Sequence, residues 1–183
     1  METINVLDKT FKKYLSQEHI LAEVTRVANE ISADLQEADR PLFVCVLNGA
    51  FVFASDLFRR LQLPTAEITF IRMKSYEGTQ TTGKVKTITG LMESVVGRTV
   101  VIVEDIVDSG YTMQRLIAQL KDLGAKEVKV CVLLNKPQAR RVEGLVLDYV
   151  ALEIPNDFIV GYGLDYDEQG RNLPDIWVVA ETV

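Results

Sequence analysis

The stretch VVIVEDIVDSGYTM (residues 100–113) carries both the fold and the site. Val100, Val101, Ile102 and Val103 form a short, continuous apolar run, as a strand buried on both faces would. Glu104, Asp105 and Asp108 follow at once, with no lysine or arginine among them. Ser109-Gly110-Tyr111-Thr112 then leads into a helical pattern over 113–123, with Gly124 placed to end it. A single acid here would read as a solvated turn residue or a helix cap. Three acids ahead of small and hydroxyl residues demand more. Ser109, Gly110 and Thr112 can wrap backbone amides around a phosphate at the helix N-terminus. The acids would repel that phosphate, so they need another task on the same ligand. Sugar hydroxyls and magnesium are the natural partners of adjacent carboxylates. A phosphorylated ribose carrying magnesium fits the whole stretch.

Outward from this strand the pattern repeats. Residues 16–35 read as a helix: Ile20, Leu21, Val24, Val27, Ala28, Ile31 and Leu35 recur at helical spacing, and Ser16 can cap the start. PLFVCVL (41–47) is a central strand, broken by Asn48-Gly49 and followed by a helical segment over 50–61. Residues 66–73 alternate as a strand, and 128–134 form another. Strand, turn and helix in alternation predict an α/β fold with a mainly parallel twisted sheet flanked by helices. Ligands in such folds bind at the carboxyl ends of the strands. Asn48-Gly49, the acidic stretch and Lys136 all fall at such ends.

The bulk numbers narrow the function. With 183 residues the chain suits one domain with at most a small flap. A net charge of −6 argues against a nucleic-acid or membrane-surface binder, since both want a basic face. An anionic ligand must therefore be held by local cations or backbone amides. Cys45 and Cys131 lie inside apolar runs and read as buried, reduced thiols. His19 falls in the first turn of the first helix and reads as a surface residue. The start, METINVLDKTFKKY, has no apolar signal core, and no apolar run is long enough to span a bilayer; a cytoplasmic location is expected.

Residues 74–90, KSYEGTQTTGKVKTITG, are polar and rich in Gly and Thr, as a mobile active-site lid or a simply disordered loop would be, and the lid is the favoured reading. Gly78 to Lys84 imitates a nucleotide-binding P-loop. Val85 stands where Ser or Thr must ligate magnesium, and residues 85–88 look like a return strand instead of the required helix.

The stretch 100–113 closely resembles the phosphoribosyl-pyrophosphate (PRPP) motif of type I phosphoribosyltransferases. Three other segments are similar to the hypoxanthine-guanine branch of that family: Lys74-Ser75-Tyr76 to the start of its mobile loop, LLNKPQAR (133–140) to its purine-binding lysine segment, and EIPNDFIVGYGLDYDEQGRNL (153–173) to its C-terminal hood. The resemblance spans roughly 40–180. It implies the family's fold: one domain over 1–183, with a lid loop near 74–90 and a hood built from 153–183 plus N-terminal residues.

It also implies magnesium-dependent transfer of a phosphoribosyl group from PRPP to hypoxanthine or guanine, in a homodimer or homotetramer without nucleic-acid or membrane partners. By resemblance, Glu104 and Asp105 hold the ribose hydroxyls, directly or through magnesium-bound water. Asp108, Ser109, Gly110, Tyr111 and Thr112 embrace the 5′-phosphate, and Asp108 is the candidate general base. Lys136 meets the 6-oxo group, Phe158 stacks on the purine, and Ile106, Ile159 and Asp165 border it. Asp165 joins Glu104 and Asp105 as a candidate metal ligand. Arg171, with Asn48 and Gly49, binds pyrophosphate, while Ser75 and Tyr76 close over the centre.

One loop departs from the family pattern. Where the family has Leu-Lys/Arg-Gly-Gly/Ser, this chain has Leu47-Asn48-Gly49-Ala50, without the cation. Pyrophosphate affinity and a subunit contact are placed in question by that change. The family resemblance implies a cis peptide at Leu47–Asn48. Two other readings stay open: a preference for xanthine, set by small shifts near Ile159 and Asp165, and a PRPP-sensing regulator that binds nucleic acid. The retained Asp108, Lys136 and lid, with the acidic charge, speak against the regulator.

Overall fold

Residues 42 to 46 are all buried, so this strand must lie inside a sheet covered on both faces. The computed structural model places it there, and describes residues 2–76 and 85–180, with backbone only for 74–76 and 85–88. In chain order the elements are β1 (Thr3–Val6), β2 (Lys9–Leu15), α1 (Gln17–Asp34), β3 (Leu42–Leu47), α2 (Phe51–Phe58), β4 (Glu67–Tyr76), β5 (Val85–Thr89), β6 (Thr99–Val107), α3 (Tyr111–Asp122), β7 (Glu127–Asn135), β8 (Tyr149–Glu153), β9 (Ile159–Val160) and β10 (Ile176–Val179). The main sheet runs β5-β4-β3-β6-β7-β8, parallel throughout except for β5. The expected mainly parallel α/β sheet is therefore present.

Among the parallel strands the order reverses direction at β3: the chain goes from β3 outward to β4, then back across to β6. Loops leaving neighbouring strands at such a point diverge to opposite faces and open a crevice between them. The helices divide accordingly. Ile20, Val24 and Ile31 of α1 and Phe53 and Leu57 of α2 pack with Phe43, Cys45, Val101 and Val103 on one face. Met113, Leu116 and Leu120 of α3 pack with Val44, Val100, Ile102 and Val132 on the other. Each fully buried aliphatic side chain contributes about 1.5–3 kcal/mol by leaving water. Both cysteines are buried and unpaired, and His19 is exposed.

Local chemistry sets the helix ends. Ser16 caps α1, its hydroxyl accepting from the His19 amide at 3.3 Å. Gly124 ends α3: its amide donates to the Lys121 carbonyl and that of Ala125 to the Leu120 carbonyl, the paired bonds of a Schellman turn. Several expected boundaries move, β4 among them, which ends at Tyr76 and not Met73. Helix α2 stops at Phe58, before Leu61, because Arg60 turns back to the Asp56 carbonyl (2.8 Å) and the Thr25 hydroxyl (3.1 Å). Helix α3 starts at Tyr111, before Met113, because Gly110 adopts φ +88° and turns the chain directly into it. Strand β6 runs through Val107, since its ladder to β7 continues through Glu104, Ile106 and Val107. Glu104 and Asp105 are thus strand residues, and only Asp108 belongs to the turn.

A second, four-stranded sheet in the order β1-β2-β10-β9 joins the two ends of the described chain around Phe11, Val160 and Trp177. Asp175 fastens it to α1, accepting from the Gln17 amide at 2.8 Å and from Lys13 Nζ at 2.9 Å. Lys13 holds the Asp175 carboxyl below the ordinary aspartate value of 3.8. A carboxylate with a depressed folded pKa contributes stability above its unfolded value and loses it as pH falls through the folded one. The melting temperature should therefore drop below about pH 4, and Asp175→Asn should flatten that part of the curve while lowering the plateau at pH 7. A thermal melt series across pH checks both.

Candidate functional site

The carboxyl ends of β3, β6 and β7 meet where the sheet order reverses. From β6, Glu104, Ile106, Val107, Asp108, Ser109, Gly110, Thr112 and Met113 line a cavity of about 220 Å³. Glu104 and Asp108 share this hollow with Ser109, Gly110 and Thr112, whereas Asp105 and Tyr111 are not part of its lining. Glu104 is only 7% exposed, whereas the Asp108 carboxylate is 55% exposed and open to a ligand. Tyr111 is also exposed, on the first turn of α3.

The first loop fits tightly against this wall. The Leu47–Asn48 peptide is cis, as the family resemblance implied. A Cβ added to Gly49 would lie 1.6 Å from Asp105 Oδ2, so glycine is what lets the Asp105 carboxylate rest there. A guanidinium that the sequence did not announce stands beside the loop that lacks the cation. Arg72, on the neighbouring strand β4, donates from Nη2 to Asn48 Oδ1 at 3.0 Å. The register pairs Leu47 with Arg72, which brings a guanidinium beside Asn48 from another part of the chain.

Lys136 leaves the end of β7 and is 8% exposed. Its Nζ donates to the Asp157 carbonyl at 2.9 Å and stands 3.5 Å from Asp108 Oδ1. The ammonium is thereby held between the acidic turn and the backbone just before Phe158. Phe158 is 45% exposed, which rules out ordinary core packing. Its ring is braced edge-on by Tyr166 (centroids 5.5 Å apart) and at a 41° tilt by Phe11 (6.1 Å), leaving a free aromatic surface. Ile159 is buried in β9 beside it.

The last segment closes the crevice. Gly163 has φ +100°, and a Cβ there would lie 2.2 Å from the Gly49 carbonyl oxygen. Neither backbone can yield easily, so Gly163→Ala should lower the melting temperature by about 3–10 °C and raise KM for a substrate bound in this crevice. Melting curves and steady-state kinetics check this. Arg171 Nη2 lies 2.8 Å from Asp165 Oδ1 and 3.1 Å from Glu168 Oε2, while Nη1 donates to the Gly163 carbonyl at 2.9 Å. Two residues predicted for separate duties, Arg171 for pyrophosphate and Asp165 for base and metal, thus engage each other here. Among the described residues no group of three acidic, His or Cys side chains could hold a metal, so Glu104, Asp105 and Asp165 do not form one ready cage. Ser75 and Tyr76 lie at the end of β4, paired in backbone register with Lys86 and Val85. Of the predicted lid, residues 77–84 lie outside the described residues, as does nearly all of the P-loop look-alike. Residues 85–89 are a strand, not a P-loop helix.

A larger hollow of about 690 Å³ lies at the opposite, amino-terminal ends of the strands. Its arginines are spent on one acid: Arg40 and Arg98 both bind Glu67, at 2.6 and 2.9 Å. No aromatic side chain among the described residues lines it, and strand carboxyl ends are the usual ligand side.

Comparison with known proteins agrees with the geometry. The model of a phosphoribosyl transferase domain matches residues 10–167. A hypoxanthine-guanine phosphoribosyltransferase of Streptococcus thermophilus is 38% identical, the match covering 97% of this chain and 98% of that protein. A bifunctional protein TilS/HprT of Listeria innocua is 42% identical over 92% of this chain, which spans only 26% of that protein's length. Among solved structures, a hypoxanthine-guanine phosphoribosyltransferase of Bacillus anthracis superposes with a TM-score of 0.80 at 37% identity, covering 92% of this chain and 96% of that one.

Proposed function

This chain belongs to the hypoxanthine-guanine phosphoribosyltransferase family, and from that premise we propose that it moves a 5-phosphoribosyl group from PRPP to hypoxanthine or guanine. The products are IMP or GMP and pyrophosphate. The observation that carries this reading is the placement of Lys136 Nζ between Asp108 and the Asp157 carbonyl, next to the open face of Phe158. An ammonium can only donate hydrogen bonds. It serves a 6-oxo group and offers nothing to a 6-amino group. A flat heterocycle stacked on Phe158 with its oxygen at Lys136 would turn its imidazole edge toward Asp108.

In the reaction a ring nitrogen of the purine bonds to the anomeric carbon as the bond from that carbon to pyrophosphate breaks. Asp108 takes the imidazole proton. The transition state is oxocarbenium-like, as in glycoside hydrolysis, and the Glu104 and Asp105 carboxylates favour its positive charge. The amides and hydroxyls of Ser109 to Thr112 hold the 5′-phosphate at the start of α3. Arg171 and the Asn48-Gly49 amides, with Arg72 alongside, receive the pyrophosphate. Arg171 must then exchange at least one of its carboxylate partners for the ligand.

The donor set suits magnesium. Two neighbouring carboxylates without a third fit an ion that takes its other ligands from substrate oxygens and water. When bound, magnesium would neutralise charge on the departing pyrophosphate. The same reading places the enzyme in the cytoplasm as a homo-oligomer without nucleic-acid partners; its charge is −6, and no described helix is long and apolar enough to cross a membrane. The test is an assay with magnesium and PRPP against hypoxanthine, guanine, xanthine, adenine and uracil. Nucleotide and pyrophosphate should appear with the first two. No turnover with any 6-oxopurine would overturn the reading, and a strong lead for xanthine would move the preference to that base.

A further inference from the structure

Behind the loop assigned above to the 5′-phosphate lies an arginine that this reading leaves without a task. The loop 108–112 holds no cation, and three acids stand near it. Arg140 follows the 3₁₀ turn Pro137–Ala139 and packs on the loop from below: a Cβ built on Gly110 would lie 3.2 Å from Arg140 Cδ. The next two residues grip the same loop, the Arg141 and Val142 amides both donating to the Ser109 carbonyl at 3.0 and 3.1 Å. The guanidinium itself meets only neutral groups. Nη2 donates to Asn135 Oδ1 at 2.5 Å and Nη1 reaches the Leu145 carbonyl at 3.5 Å, while Nε is buried with no partner. Among the described residues Arg140 makes no ion pair.

A guanidinium stays charged at any physiological pH. Holding that charge partly out of water without an anion is costly. The cost is offset if the ligand brings the missing negative charge. We infer that Arg140 is a positioning residue for the 5′-phosphate: it props the Ser109-Gly110 turn and sets a fixed positive charge behind it. This rests on the assignment of that turn to the phosphate. It explains how a loop ringed by acids, in an acidic chain, retains a dianion that backbone amides alone would hold less well. Arginine suits the task because its fork is fixed at Asn135 and Leu145 while its stem lies under Gly110. A lysine would keep the charge without the fork.

The test compares Arg140→Met and Arg140→Lys with the unmodified chain, measuring affinity for GMP and guanosine by calorimetry and the ionisation of bound GMP by ³¹P NMR. Loss of the charge in Arg140→Met should weaken GMP by at least about tenfold while guanosine affinity stays within about twofold. The second ionisation of the bound phosphate should move to higher pH. Arg140→Lys should keep that ionisation near its original position and weaken GMP less. The inference is overturned if GMP and guanosine weaken together, or if the phosphate titration is the same in all three. Should Arg140→Met fail to fold, an Arg140→Lys protein whose phosphate titrates as free GMP does would overturn it equally. If the unmodified chain binds guanosine as tightly as GMP, the assignment of the loop to the phosphate fails first, and this inference with it.

Discussion

An Asp108→Asn variant should turn over about 10²–10⁴-fold more slowly, the usual worth of a positioned general base, with affinity for PRPP nearly unchanged. Asparagine matches aspartate in shape and can still accept a hydrogen bond from Lys136, but it cannot take a proton at neutral pH. The turn should survive the change. On the proposed reading the turn would hold phosphate through backbone amides and neighbouring hydroxyls, and the Lys136 ammonium keeps its second anchor on the Asp157 carbonyl. The two losses therefore separate: chemistry slows and binding holds. Single-turnover rates with saturating PRPP measure the first, and titration with PRPP measures the second. Equal single-turnover rates in the two proteins would remove Asp108 from the proton transfer.

The second large effect falls on base choice. Lys136→Met keeps most of the buried stem and removes the ammonium held between Asp108 and the Asp157 carbonyl. A hydrogen bond to a charged group contributes about 1.5–3 kcal/mol, so kcat/KM for hypoxanthine and guanine should fall by about 10–100-fold. Adenine should lose far less, because its 6-amino group never gained from that donor. The ratio of kcat/KM for hypoxanthine over adenine is the decisive quantity, and it should collapse. The Asp157 carbonyl and Asp108 also lose a partner in this variant, so a modest drop in melting temperature should accompany the change. A ratio that stays put while both rates fall together would mean that Lys136 supports the crevice without reading the base.

Parts of this site were open to sequence reading and parts were not, for physical reasons. The acidic turn after β6 was legible because its signals are local: an apolar run buried on both faces, acids at its end, then small hydroxyl residues before a helix. Helix α1 was legible because its apolar spacing and its capping serine agree. The course of β6 beyond Val103 was not, since Glu104 and Asp105 look like turn residues until the ladder to β7 is known. The meeting of Lys136 with Asp108 depends on that same register, which sets Val107 against Asn135 one residue short of each. Arg72 escaped notice because its partner Asn48 lies 24 positions away, and only the pairing of β3 with β4 brings them together. The second sheet escaped in part because β2, KTFKKYL, carries three lysines around the fully buried Phe11. The mutual engagement of Arg171 and Asp165 was invisible for a different reason. The family resemblance implied a ligand-binding role for each, but nothing in the sequence says that they bind each other when no ligand competes.

The most direct measurement is a crystal structure of the chain with GMP and magnesium. The phosphate should lie within hydrogen-bonding distance of the Ser109 to Thr112 amides, with guanine on the open face of Phe158 and its 6-oxygen at Lys136 Nζ. A nucleotide whose phosphate sits elsewhere, for example among Arg40, Arg98 and Lys126 at the far ends of the strands, would contradict the account.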